Sequence, residues 1–258
     1  MEMHTLKINT AFVNYEKNIT HNGYKLICIP YAGSGASVYA GWQKVMGSDI
    51  EILPVQLPGR ENRMTEECLL SCKEAAKKIA YEIGPYLQNG NFSVFGHSMG
   101  GIIAFETVKY LEKTGKNPDV CFVSSTSIED MSGIVRSSQL NDEQFFERVS
   151  KYGAIDKNSE ILKFPEFKSI FMKILRADFN IIETYKYDGI KINCPVCASC
   201  GDSDPMETIG RMESWRNYVN SEVTFNKYSG DHFYIAQNLS KICTMIKKMI
   251  YDTKKKSE

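Results

Sequence analysis

Ser98 stands in the run Gly96-His97-Ser98-Met99-Gly100, with Gly101 behind it. A serine hydroxyl is a weak nucleophile until a base takes its proton, and G-x-S-x-G is the pattern that lifts a serine onto a sharp turn between a strand and a helix. The flanks supply both elements: Asn91-Phe92-Ser93-Val94-Phe95 precedes the turn and Ile102-Ile103-Ala104-Phe105 follows it. Glycines at 96 and 100 leave out the side chains that so tight a turn has no room for.

An elbow serine needs a base and an acid to orient it, expected in the chain order Ser, Asp or Glu, His. Four histidines are present. His4 and His21 precede the first strand pattern, and His97 is fixed in the elbow, poorly placed to reach its neighbour. His232, in Ser229-Gly230-Asp231-His232-Phe233 after a strand pattern, is therefore the expected base. For the acid, Gly201-Asp202-Ser203-Asp204-Pro205 follows another strand pattern. Asp204 is favoured because the glycine turn lets the chain leave the strand before this carboxylate is presented. Asp202 is the alternative, and Asp231 reads as a cap for the helix that follows. Two backbone amides should hold the oxyanion: Met99, directly after the nucleophile, and Ala32, in the early turn Pro30-Tyr31-Ala32-Gly33-Ser34-Gly35.

These residues need a frame. Short apolar runs at 26–30, 50–55, 92–95, 120–124, 195–200 and 223–228 alternate with helical patterns, which predicts an α/β fold with a mostly parallel central sheet and helices on both faces. The serine, acid and base then all lie past carboxyl ends of strands, where open α/β sheets bind ligands. Residues 126 to 193 separate two consecutive strands by far more than the dozen or so residues a crossover needs. We expect one domain over 1–258 with this insert as a helical lid over the serine. Phe145, Phe146, Val149 and Tyr152 would line one helix face, and Phe167, Ile170, Phe171, Ile174, Leu175, Phe179 and Ile182 another.

The 258 residues carry 31 Lys plus Arg against 31 Asp plus Glu, which removes the basic footprint of nucleic-acid or anionic-membrane binding. No apolar stretch is long enough to span a bilayer, and a monomer in the cytoplasm is expected. Cys194, Cys197 and Cys200 have overlapping C-x-x-C spacing, but on a strand Cys197 faces away from the other two, so no shared metal is expected. The lysine-rich end, 254–256, reads as a frayed, solvated terminus.

With these residues in place, the chain resembles the type II thioesterases that work beside nonribosomal peptide and polyketide synthases. Ile29-Pro30-Tyr31-Ala32-Gly33 with Tyr39 and Trp42, Pro58-Gly59-Arg60-Glu61 with Arg63, the elbow, Arg176-Ala177-Asp178-Phe179, and Gly201 to Asp204 with Trp215 are similar to that family's motifs in the same order. The departures are Gly-Ser-Gly at 33–35 and Gly-Asp-His at 230–232, where the family has Gly-Gly-Ser and Gly-Gly-His; neither removes a catalytic atom. The resemblance implies an α/β-hydrolase fold and the triad Ser98, Asp204 and His232. It also implies hydrolysis of acyl groups from the phosphopantetheine arm of acyl or peptidyl carrier proteins, clearing misprimed or stalled arms. No cofactor or metal would be resident, since the pantetheine arrives on the substrate. Arg60, Arg176 and Asp178 read as ion-pair residues that fix loops and helices. A carboxylester hydrolase for small soluble esters is the alternative reading, and a noncatalytic binding module a third.

Overall fold

A computed structural model describes residues 23–89, 91–128, 135–151 and 164–257. Six strands form its sheet: β1 (Tyr24–Ile29), β2 (Ile50–Pro54), β3 (Phe92–His97), β4 (Cys121–Ser124), β5 (Val196–Gly201) and β6 (Val223–Tyr228). They pair in the order β2-β1-β3-β4-β5-β6, and every pairing among them is parallel. Between them run α1 (Trp42–Met46), α2 (Cys72–Ile83), α3 (Met99–Lys113), α4 (Asp142–Lys151), α5 (Pro165–Thr184) and α6 (Ile209–Met212), with α7 (Tyr234–Gln237) and α8 (Leu239–Ser257) after β6. The α/β architecture and all six predicted strands are present.

Near-continuous apolar strands are what a parallel sheet covered on both faces requires. Ile27, Val94, Val123, Val196 and Ala198 belong to one core with α2, α3 and α5, while their strand neighbours Leu26, Cys28, Phe95, Phe122 and Cys197 belong to a second core with α1 and α8. The cysteines obey the same alternation: Cys194 and Cys200 lie in the first core and Cys197 in the second. All eight cysteines are free. No cluster of three His, Cys, Asp or Glu among the described residues is arranged to hold a metal.

Chain order and sheet order diverge at β1, which has β2 on one side and β3 on the other. At such a switch point the loops leaving the two strands part in opposite directions and open a crevice. The turn after β1 and the elbow after β3 meet there. The Gly100 position is so close to the Ile29 and Pro30 carbonyls that a Cβ would collide with them.

Two expectations change. Phe167 and Ile170 are exposed, so the predicted apolar face of α5 is buried only from Met172 onward. The C-terminal lysines are helical in α8, not frayed: Lys254 Nζ donates to Asn91 Oδ1 at 3.1 Å and lies over the Tyr24 ring, and Lys256 pairs with Glu222. Lysines in a last turn also face the negative end of the helix dipole, which offsets their mutual repulsion. His4, His21 and Tyr152 lie outside the described residues.

Candidate active site

Ser98 sits between β3 and α3 at φ 53° and ψ −123°, a conformation L-residues rarely adopt. The elbow is held from both sides. Ser98 N donates to the Ser124 carbonyl at 2.7 Å, tying it to β4, and Gly101 N donates to the Ser98 carbonyl at 2.8 Å. A Cβ on Gly96 would strike the Gly100 carbonyl, and one on Gly101 would strike Thr126. The two glycines flanking the serine, and the third behind it, therefore answer to close backbone approach.

The three residues expected to act together are in register. His232 Nε2 is 3.0 Å from Ser98 Oγ, and His232 Nδ1 is 3.0 Å from Asp204 Oδ2. Asp204 is buried, and its Oδ1 accepts the amides of Met206 and Glu207 at 2.9 and 3.1 Å. Burial alone would raise this carboxyl, but the His232 hydrogen bond and charge, with the Met206 amide, bring it down to about 2. It is an anion across the working pH range, as a histidine-orienting acid must be.

The alternative acids have other work. Asp202 is exposed, and its Oδ1 accepts Gly230 N at 3.0 Å, tying the acid loop to the histidine loop. The loops run so close that a Cβ on Gly201 would strike the Gly230 and Asp231 carbonyls. Asp231 accepts Phe233 N at 2.9 Å, which turns the chain just before α7; the cap position of α7 itself falls to Phe233.

His97 is fully buried, and its hydrogen bond goes to Ser124. Its Nδ1 lies 2.8 Å from Ser124 Oγ, which continues to Tyr234 Oη at 2.7 Å and on to Ser199 Oγ at 2.8 Å. Burial first, and then the adjacent His232, hold this imidazole well below its usual range. The chain of hydrogen bonds ties β3, β4 and β5 to α7, which begins two residues beyond His232. Two of its members, Ser124 and Ser199, carry no motif and leave no mark in the sequence.

Met99 directly follows the serine, and Ala32 lies in the turn after β1. Met99 opens α3, whose amino end directs peptide dipoles toward a developing negative charge. Ala32 lies in a turn closed by Ser34 N donating to the Tyr31 carbonyl at 3.2 Å, with Gly33 at φ 80°, the sign a type II turn requires there.

A cleft of about 290 Å³ opens beside the serine, its lining a mixture of apolar Ile102, Ile182, Pro205 and Met206 and polar Ser127, Glu207 and Arg211. Ile182 comes from α5. α4 supplies none of the lining among the described residues and packs against α5 in the core, Phe145 against Phe179 at 5.6 Å. A larger groove of about 580 Å³ lies around Glu112, Asp119, Asn193 and Lys256, and neither Ser98 nor His232 lines it.

Glu207 was not legible as a site residue. Its Oε1 accepts the Ser127 amide and hydroxyl at 3.1 and 3.0 Å, and its Oε2 faces Arg211 Nε at 3.6 Å. Burial pushes the carboxyl up to about 7, and nearby Asp204 adds to the rise against the Ser127 bonds. A glutamate in a short polar loop gives no periodic or motif signal.

The chain matches the sequence profile of the thioesterase domain over residues 24–250. It is 34% identical over 235 residues to the gramicidin S biosynthesis protein GrsT of Aneurinibacillus migulanus, covering 90% of both chains. It is 32% identical over 228 residues to the thioesterase PikA5 of Streptomyces venezuelae, covering 88% of this chain and 80% of that one. Among solved structures, YbtT, a type II thioesterase from the yersiniabactin NRPS/PKS biosynthetic pathway, superposes with a TM-score of 0.80 at 28% identity over 90% of this chain and 94% of that one. The hydrolase elbow, the parallel sheet that carries it and these matches lead to one conclusion: the chain belongs to the thioesterase family.

Proposed function

We propose that this protein removes acyl groups from the phosphopantetheine arm of carrier proteins of a nonribosomal peptide or polyketide synthase, with Ser98 as nucleophile, His232 as base and Asp204 as orienting acid. The observation that carries the reading is the unbroken pair of 3.0 Å contacts from Ser98 Oγ through His232 to Asp204, beside a cleft lined in part by apolar side chains. Ser98 attacks the thioester carbonyl as His232 takes its proton, and Asp204 holds the imidazole tautomer and stabilises the imidazolium. The Met99 and Ala32 amides receive the oxyanion; a donor in such a position is worth roughly 2.7–4 kcal/mol. The tetrahedral intermediate collapses, the pantetheine sulfur leaves with the proton from His232, and water activated by the same histidine releases the acid.

The insert at about 126–193 serves as a lid within the single domain, through α5 at the cleft wall. No resident cofactor takes part, because the pantetheine comes with the carrier. None of the described helices is long and apolar enough to cross a membrane, and we place the enzyme in the cytoplasm, as a monomer, where its free cysteines stay reduced.

Intact-protein mass of several acyl-pantetheinyl carrier domains, incubated with the enzyme, tests this. Wild type should remove the acyl mass, Ser98→Ala should remove none, Asp204→Asn should be slower by about 10⁴-fold, and Asp202→Asn should stay near wild type. Equal loss with wild type and Ser98→Ala rejects the mechanism. Turnover of small alcohol esters far above that of carrier thioesters would favour a carboxylester hydrolase.

A further inference from the structure

Arg60 and Asp178 are 118 residues apart in the chain and meet in a buried, two-pronged ion pair: Arg60 Nη1 to Asp178 Oδ2 at 2.7 Å and Nη2 to Oδ1 at 2.8 Å. Asp178 has no exposed surface and Arg60 almost none. Replacing such a pair with apolar side chains is often neutral or stabilising, so burial alone does not explain why charges stand here. Their further contacts do. Asp178 Oδ2 also accepts Gly33 N at 2.7 Å, and Arg60 Nη1 also donates to the Ser34 carbonyl at 3.1 Å. Both bonds land on the turn that carries Ala32. In a β-turn the central peptide, here Ala32–Gly33, is the unit whose flip separates type I from type II. The Gly33 N–H belongs to that peptide, and the Ala32 N–H to the one before it, so the bond to Asp178 acts on Ala32 through the conformation of the turn. α5 adds a steric contact, since a Cβ on Gly33 would lie 2.7 Å from Leu175 Cδ2.

We propose that Arg60 and Asp178 are positioning residues that lock the whole turn carrying Ala32 in one conformation through its Gly33 amide and Ser34 carbonyl, so that the oxyanion turn is set by α5 and is lost if α5 moves away. This rests on the catalytic reading of Ala32 given above. The pair touches no reacting atom; its effect passes through the turn.

The double variant Arg60→Met/Asp178→Leu separates positioning from packing. It removes the charges together, and with them the acceptor for Gly33 N–H. We expect a melting temperature near that of wild type, KM within about twofold, and kcat lower by ten- to a hundredfold, less than the roughly 10²–10³ that outright loss of an oxyanion donor costs. The rate at which a fluorophosphonate labels Ser98 should fall in step with kcat. Wild-type kcat and labelling rate in a folded double variant overturn the proposal, as does a change confined to KM. If the double variant does not fold, near-isosteric Asp178→Asn carries the test, assayed well below its own melting temperature. A lower kcat and labelling rate there support the lock, and wild-type values overturn it. Because labelling needs no carrier substrate, the lock is read even if wild type fails to turn over carrier thioesters, an outcome that would count against the proposed function alone.

Discussion

Asp204 and Glu207 show how two residues of one loop, three positions apart, acquire opposite electrostatic behaviour. Asp204 receives two amides and faces the base, so its carboxyl falls to about 2; Glu207 is buried beside that anion, and its carboxyl rises to about 7. The signs of their linkage to stability are opposite. Asp204 contributes stability that is present above its unfolded value of 3.8 and is lost as pH falls through about 2. Glu207 contributes stability that is present below its unfolded value of 4.5 and is lost as pH rises through about 7. A rise of this size corresponds to roughly 3 kcal/mol between those limits. Glu207→Gln keeps an oxygen for Ser127 and cannot ionise. Its melting temperature should therefore decline less than that of wild type between pH 4.5 and 8, as thermal denaturation at a series of pH values would show. Parallel curves would reject this role. The contrast between Asp204 and Asp202 was legible because the glycine turn fixes how far from the strand each carboxylate emerges. The Glu207 environment was not, since it depends on Ser127, which lies 80 positions away.

The element that demands most of its neighbours is the junction of β3 and α3. Gly100 sits against the Ile29 and Pro30 carbonyls, so α3 reaches the crevice only because that position has no side chain. Gly100→Ala must push α3 away from the end of β1. Overpacking of this kind costs about 1–3 kcal/mol, and the displacement also separates the Met99 and Ala32 amides. We expect a lower melting temperature together with a kcat loss of at least tenfold, measured on the folded variant; full activity would mean the junction yields without cost. This junction was readable from its glycines, because G-x-S-x-G states a local steric requirement. The Arg60–Asp178 pair was readable only as two separate ion-pair residues. Arg176, which seemed a candidate partner, instead donates to the Ser137 and Leu140 carbonyls and pairs with Asp142, holding α4 to α5. Chain proximity carries no information about pairs closed by tertiary packing. The insert was legible by its length, but exposure of Phe167 and Ile170 was not, because periodicity shows which residues share a face and not how far the core beneath it extends.

Across the whole molecule, α8 fastens parts of the sheet that its strands leave apart. Lys254 reaches Asn91, just ahead of β3, and the Tyr24 ring of β1, while Lys256 pairs with Glu222 beside the edge strand β6. Exposed ion pairs contribute little singly, and most of the anchoring comes from Ile242, Ile246 and Ile250 in the core. Deleting residues 252–258 should therefore lower the melting temperature by only a few degrees, about 2–4 °C per kcal/mol for a chain of this size, with carrier deacylation unchanged. Loss of folding would assign the lysines a larger share. Lysine-rich composition suggested solvation and hid this helix, whose apolar face ends just before the lysines begin. The order of the strands has a further consequence during synthesis. Chains are made and begin to fold from the amino end, so Ser98 emerges 134 residues ahead of His232. Until β6 docks at the sheet edge, Ser98 has no His232 beside it, and the hydrogen-bond chain from His97 through Ser124 still awaits Tyr234. On the proposed triad, the serine gains its base only with the last strand in the chain.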